Sequence, residues 1–223
     1  MMLISGPLQY VLYAQLAKMG GDQAAVGRAF FAVTRALAIV VFPAVGMVAV
    51  AHTAVFDLFL SAKWAPAGYL FMVVAPACAL QAVTAIGGTV RMVLGRTDIM
   101  FKTTVEFGLI RLVTLILSVR YGLDCTAFSY SLAVLLYSPR SLMLVLPIVG
   151  GTLGSYVRLI AAPVAITLIS IGVFREITQV AVVNEWGQLF LGGILAVAGM
   201  AASVLAQREM LREEMTLLKR AAA

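Results

Sequence analysis

Four side chains that carry or bind charge lie in, or at the edge of, apolar stretches long enough to cross a lipid bilayer: Arg28, Arg35, Gln81 and Arg111. A charge at bilayer depth is costly, so such a group is matched by a counter-charge, reaches to an interface, or serves a ligand. Arg111 is near the centre of the run 99–119, with Glu106 and Thr114 on the same helix. A guanidinium stays charged at any physiological pH and presents a planar fork of donors to anion oxygens. Its alternatives are a pair with Glu106 or snorkelling of its stem toward the outer interface. Arg35 lies within the run 30–51, and Arg28 stands seven residues earlier on the same helical face. For both, ligand contact competes with snorkelling to headgroups. Gln81, Thr84 and Thr89 form a polar stripe at helical spacing, suited to lining a cavity or to hydrogen bonds between helices. Arg91 and Arg140 sit near run ends and read as interfacial.

Signatures of catalysis are missing. The single histidine, His52, has no cysteine or carboxylate at metal-ligand spacing; with Asp57 it could make a proton-responsive pair or simply stand at the surface. No Gly-rich phosphate loop appears, and Ser129 and Ser131 have no neighbouring base. Cys78 and Cys125 give neither a disulfide framework nor a metal site. The expectation is a protein that is not an enzyme and holds no metal or cofactor.

The elements that must position these residues are six apolar runs, near 30–51, 69–94, 99–119, 125–148, 156–174 and 187–206. A hydrocarbon core of about 30 Å takes about 20 apolar residues per helical crossing. The composition is 62% hydrophobic and 12% charged, and the mean hydropathy is +1.03. In lipid, backbone groups must be satisfied internally, by helices or a closed barrel. Runs such as Ala36-Leu37-Ala38-Ile39-Val40-Val41 lack the alternation of barrel strands. The fold expected is all-α: a polytopic transmembrane helix bundle over residues 1–206, with six full spans and a partial helix at 1–17, then a cytoplasmic tail at 207–223 that reads as helical, either a continuation of the last span or a surface helix.

Loop charges orient the bundle. Lys18, Arg28, Arg96, Lys102, Arg158, Arg208, Arg212, Lys219 and Arg220 fall in one set of connections, and only Lys63, Arg120 and Arg175 in the other. The richer set faces the cytoplasm, which puts the C-terminus inside. Trp64 and Trp186 fall in outer connections, where amphipathic rings anchor at headgroups. The formal charge of +6 is scattered among loops, which favours anionic membrane lipids over nucleic acid as partners. Residues 1–17 are apolar but short, and Gly6-Pro7 interrupts them, so they read as the second half of a longer helix. Pro43, Pro76 and Pro163 lie inside spans and permit kinks. Gly150 and Gly154 have the spacing of close helix contacts.

Three local patterns carry a resemblance. Residues 11–43 run from Val-Leu-Tyr-Ala-Gln-Leu-Ala-Lys through a loop with Gly21-Asp22 to an apolar helix reaching Phe42-Pro43. Residues 60–66 read Leu-Ser-Ala-Lys-Trp-Ala-Pro, and the next helix ends in Leu94-Gly95-Arg96-Thr97-Asp98. In order and spacing these resemble the C-terminal part of the bacterial polysaccharide flippases, the Wzx-like oligosaccharide transporters of the multidrug/oligosaccharidyl-lipid/polysaccharide superfamily. Lys63-Trp64, Pro66-Ala67 and Gly95-Arg96-Thr97-Asp98 match; Tyr13-Ala14-Gln15 and Ser61-Ala62 depart where the family has proline and glycine.

The resemblance implies a multi-pass transporter of the bacterial inner membrane, serving polysaccharide or exopolysaccharide export, that moves an undecaprenyl-diphosphate-linked oligosaccharide by alternating access. Fixed cations, with Arg111 first and then Arg35 and Arg28, would meet the diphosphate, Gln81 would join them as a neutral substrate-binding residue of the cavity lining, and Pro43 would be a hinge. Relatives look like fourteen-helix proteins, so the chain would hold helices nine to fourteen and lack a lobe, which a separately encoded N-terminal half could supply. The alternatives are a cation-coupled exporter of small molecules, with Glu106 as its only deep carboxylate, and a structural or assembly subunit that does not transport.

Overall fold

In the computed structural model the described residues are 22–60, 62–181 and 184–208, together with Tyr13 and Leu16. The expected partial helix at 1–17, apart from Tyr13 and Leu16, and the tail beyond Arg208 lie outside them. Among the described residues the fold is all-α, with α1 at Gln23–Val50, α2 at His52–Leu60, α3 at Ala65–Thr84, α4 at Ile86–Val93, α5 at Thr97–Ser118, α6 at Leu123–Val145, α7 at Leu153–Val180 and α8 at Glu185–Ala206. Five segments are long and apolar enough to cross a membrane: α1, α3 with α4, α6 with the 3-10 turn after it, α7 and α8.

α5 is the sixth expected span. At 22 residues it reaches about 33 Å, but it carries Asp98, Lys102, Glu106 and Arg111 and is not among those five. Its exposure pattern explains the charge. From Thr103 onward its more covered positions are Thr103, Glu106, Phe107, Arg111, Thr114 and Ser118, spaced as one helical face, while Leu109, Leu112, Val113, Ile116 and Leu117 are all more than half exposed. Polar in and apolar out is the inverse of a water-soluble helix, and it is the arrangement a helix adopts against lipid when its polar groups have protein partners.

The chain divides into two compact units. The first comprises the described residues up to Leu37 and Leu80–Leu159; the second comprises Ala38–Ala79 and the described residues from Ile160 onward. In the first unit the Gly95-Arg96-Thr97-Asp98 motif is a helix-to-helix turn. Gly95 has φ 68°, a left-handed conformation that ends α4 without a Cβ clash, and Asp98 places its charge in the first turn of α5. The Gly27 position approaches the Val149 carbonyl so closely that a Cβ there would lie 2.5 Å from the oxygen.

In the second unit Met47 of α1 and Ala51, just past its end, pack with Phe174 of α7, joined by Val55, Ile171, Leu191 and Leu195. Small residues bring these helices together. A Cβ on Gly46 would collide with the Thr167 methyl, and one on Gly199 would sit 3.4 Å from both Pro43 Cβ and Ser170 Oγ. Pro66 stands in the first turn of α3, where its missing N–H costs nothing. Asn184 caps α8, its Oδ1 accepting from the Gly187 N–H at 2.8 Å.

Three expectations change. Residues 52–60, expected as a connection, form helix α2. Gly150 and Gly154 are not close-contact positions: Gly150 ends a 3-10 turn with open space around it, and a Cβ on Gly154 would meet only Thr152 Oγ1, at 3.9 Å. Arg91, expected at an interface, is buried at 6% exposure.

Candidate functional site

The polar residues of the first unit converge where α3, α4, α5 and α6 meet. Arg111 lies flat against aromatic rings, its guanidinium carbon 4.0 Å from the Phe107 centroid and 5.0 Å from that of Tyr130. Such stacking suits arginine because the ring face is electron-rich and the guanidinium plane is weakly hydrated. Its Nη2 donates to the Tyr130 hydroxyl at 3.1 Å, and that hydroxyl donates to Gln81 Oε1 at 3.1 Å. Gln81 and Arg111, separated by 30 positions in sequence, thus share one relay.

Glu106 does not pair with Arg111. Both its oxygens accept from Arg140 of α6, from Nε at 2.9 Å and from Nη2 at 2.8 Å, in the two-point geometry that guanidinium and carboxylate favour. The Tyr137 hydroxyl is shared between Glu106 Oε2 at 3.1 Å and the Thr103 carbonyl at 3.0 Å. Tyr137 also stacks on Phe107, with centroids 4.9 Å apart and planes 10° from parallel. Arg91 donates from Nε to the Gly87 carbonyl at 3.0 Å and from Nη1 to Thr103 Oγ1 at 2.9 Å.

These side chains surround a recess of about 360 Å³ within the first unit, whose lining includes Gln81, Thr84, Arg91, Thr104, Arg111 and Ser141. Its size is within the range of small-ligand pockets, about 300–1,000 Å³. The lining holds two arginines and no carboxylate, because Glu106 is not part of it. Among the described residues neither arginine is in an ion pair, and the buried Nε of Arg111 has no hydrogen-bond partner. The chemistry such a recess offers is binding of an anion by fixed cations and hydroxyls.

Of the four residues the sequence singles out, Arg111 and Gln81 meet at this recess. Arg28 is exposed near the start of α1, and Arg35, almost two turns further along, is buried at 6% exposure; neither lines the recess. Arg91, Tyr130 and Tyr137 belong to the site without having been singled out for it. Their signal was present only as a buried helix end and two aromatics in an apolar run. Pro43 is buried inside α1, which continues through it. His52 and Asp57 are both half-covered in the second unit; His52 Nδ1 lies 3.0 Å from the Ala49 carbonyl.

Residues 1–68 match the family model described as "Polysaccharide biosynthesis protein". The match covers less than a third of the chain and agrees with the resemblance to polysaccharide flippases carried by its motifs. No curated protein and no solved structure matches the chain. With five membrane-length apolar segments among the described residues, the chain is a multi-pass membrane protein related to polysaccharide biosynthesis.

Proposed function

We propose that the chain is part of a transporter that moves a lipid-linked oligosaccharide across the bacterial inner membrane by alternating access. Its recess between α3, α4, α5 and α6 receives the diphosphate of an undecaprenyl-type carrier. The observation that carries this reading is the pair Arg91 and Arg111, lining one recess from which the carboxylate of Glu106 is withheld. Two fixed guanidiniums suit a diphosphate, which carries several negative charges and, on each phosphorus, non-bridging oxygens that a guanidinium fork can meet two at a time. The hydroxyls of Thr104 and Ser141 add neutral donors. The protein works as a carrier and not as an enzyme, its basic loops and C-terminus on the cytoplasmic side against anionic lipids. A separately encoded N-terminal half is its natural partner under this reading.

The cation-coupled exporter is the weaker reading, because the carboxylate it requires has both oxygens engaged by Arg140. A purely structural subunit gives no reason for unneutralised arginines beside a recess. Translocation of a prenyl-diphosphate oligosaccharide into proteoliposomes, with the chain reconstituted alone and with its N-terminal half, tests the proposal. Transport that Arg111→Ala abolishes supports it. Transport at the wild-type rate in Arg111→Ala removes Arg111 from the mechanism.

A further inference from the structure

Arg140 sits outside the lining of the recess, and its side chain is 61% exposed, so neither ligand contact nor core packing explains its two-point hold on Glu106. After Asp98 in the first turn, Glu106 is the only acid of α5. The Arg111 guanidinium reaches back along the helix to lie 4.0 Å over Phe107, the residue next to Glu106, as arginine side chains directed toward a helix N-terminus do. The guanidinium is thereby drawn back toward the turn of α5 that carries Glu106. Glu106 is 37% exposed and Arg111 half-covered; at bilayer depth, where water does not screen charge, an unrestrained carboxylate there would be drawn to Arg111 and would compete with any anionic ligand. Arg140 and the Tyr137 hydroxyl hold it from the α6 side instead.

We propose that Arg140 is a positioning residue for anion binding: its clamp on Glu106 keeps the carboxylate off Arg111 and leaves that cation open to a diphosphate-bearing ligand. This rests on the recess being an anion site. The clamp acts through geometry, so a bare change of charge does not reproduce it.

The test is equilibrium binding of inorganic diphosphate to the full chain in nanodiscs, with thermal unfolding of each variant followed in parallel. Arg140→Ala is expected to bind about tenfold more weakly, and Arg140→Ala with Glu106→Gln to return close to wild type, since the freed competitor is then uncharged. Glu106→Gln alone is expected to stay within about threefold of wild type, because its charge is already matched. A clear gain of affinity in Glu106→Gln alone would mean simple long-range charge, and would overturn the proposal. So would wild-type binding in Arg140→Ala, or no recovery in the double variant while its unfolding matches wild type. Should diphosphate fail to bind, or bind Arg111→Ala as well as wild type, the anion-site reading falls along with the clamp. Should Arg111→Ala lose binding while Arg140→Ala keeps it, only the clamp falls.

Discussion

The helices α5 and α6 of the first unit and the helices α7 and α8 of the second are joined to their neighbours by different means. Around α5 and α6 the contacts are directional: Arg140 on Glu106, Tyr137 on Thr103, Arg111 on Tyr130, Arg91 on Thr103. Around α7 and α8 they are matters of shape, with Gly46 against Thr167 and Gly199 against Pro43 and Ser170 over a core of Met47, Ala51 and Phe174. In lipid, apolar burial does little to bring helices together, so packing of small residues and hydrogen bonds do the joining. Small-residue packing is sufficient where only association is needed. A polar face, which is harder to keep in a membrane, is retained where the charge has a further use.

That contrast can be broken most forcefully at Gly46. Gly46→Ala forces a Cβ into the Thr167 methyl and is expected to destabilise the protein by about 2 kcal/mol. Adding Thr167→Ser removes the methyl, retains a hydroxyl for the 2.7 Å bond to the Pro163 carbonyl, and recovers most of the loss. Diphosphate affinity stays unchanged throughout. Thermal unfolding and ligand titration check both statements, and an affinity that followed stability would erase the distinction between the two regions.

A smaller effect is expected at Tyr130. Tyr130→Phe keeps the ring beneath Arg111 but removes the hydroxyl linking it to Gln81. Hydrogen bonds between membrane helices average about 0.6 kcal/mol, so unfolding shifts little while diphosphate binding weakens about threefold. A large loss of stability with intact binding would make the relay structural. The smallest effect belongs to Gly199→Ala, whose new methyl meets its neighbours at 3.4 Å. Its cost should be below about 0.5 kcal/mol, because a shift of a few tenths of an ångström accommodates it. A change as large as that of Gly46→Ala would show that contact distance does not rank these helix interfaces.

Helical spans were the most legible part of the chain, since a crossing leaves about 20 apolar residues in succession. Arg111 stood out for the complementary reason, as a permanent charge in the middle of such a run. The partner of Glu106 was not legible. Arg111 is five residues away and Arg140 is 34, yet the packing of α5 on α6 selects Arg140, and that choice depends on a register no single helix encodes. Arg91 looked interfacial because it ends a run, but α4 carries it against Thr103, where hydrogen bonds repay its burial. Helix α2 was missed because its nine residues are too few to cross and His52, Thr53 and Asp57 interrupt their apolar character. The unexpected polar contributors, Tyr130 and Tyr137, were hidden because a tyrosine in an apolar run reads first as a hydrophobic ring.

Photoaffinity labelling of the nanodisc-held chain, with a benzophenone-bearing prenyl diphosphate compared with the corresponding prenyl alcohol, tests the recess as a diphosphate site most directly. The predicted result is crosslinking by the diphosphate to peptides of α3, α4 and α5 that line the recess, little crosslinking there by the alcohol, and loss of the diphosphate signal in Arg111→Ala. Equal labelling by the two probes, or diphosphate labelling that survives Arg111→Ala, would contradict it.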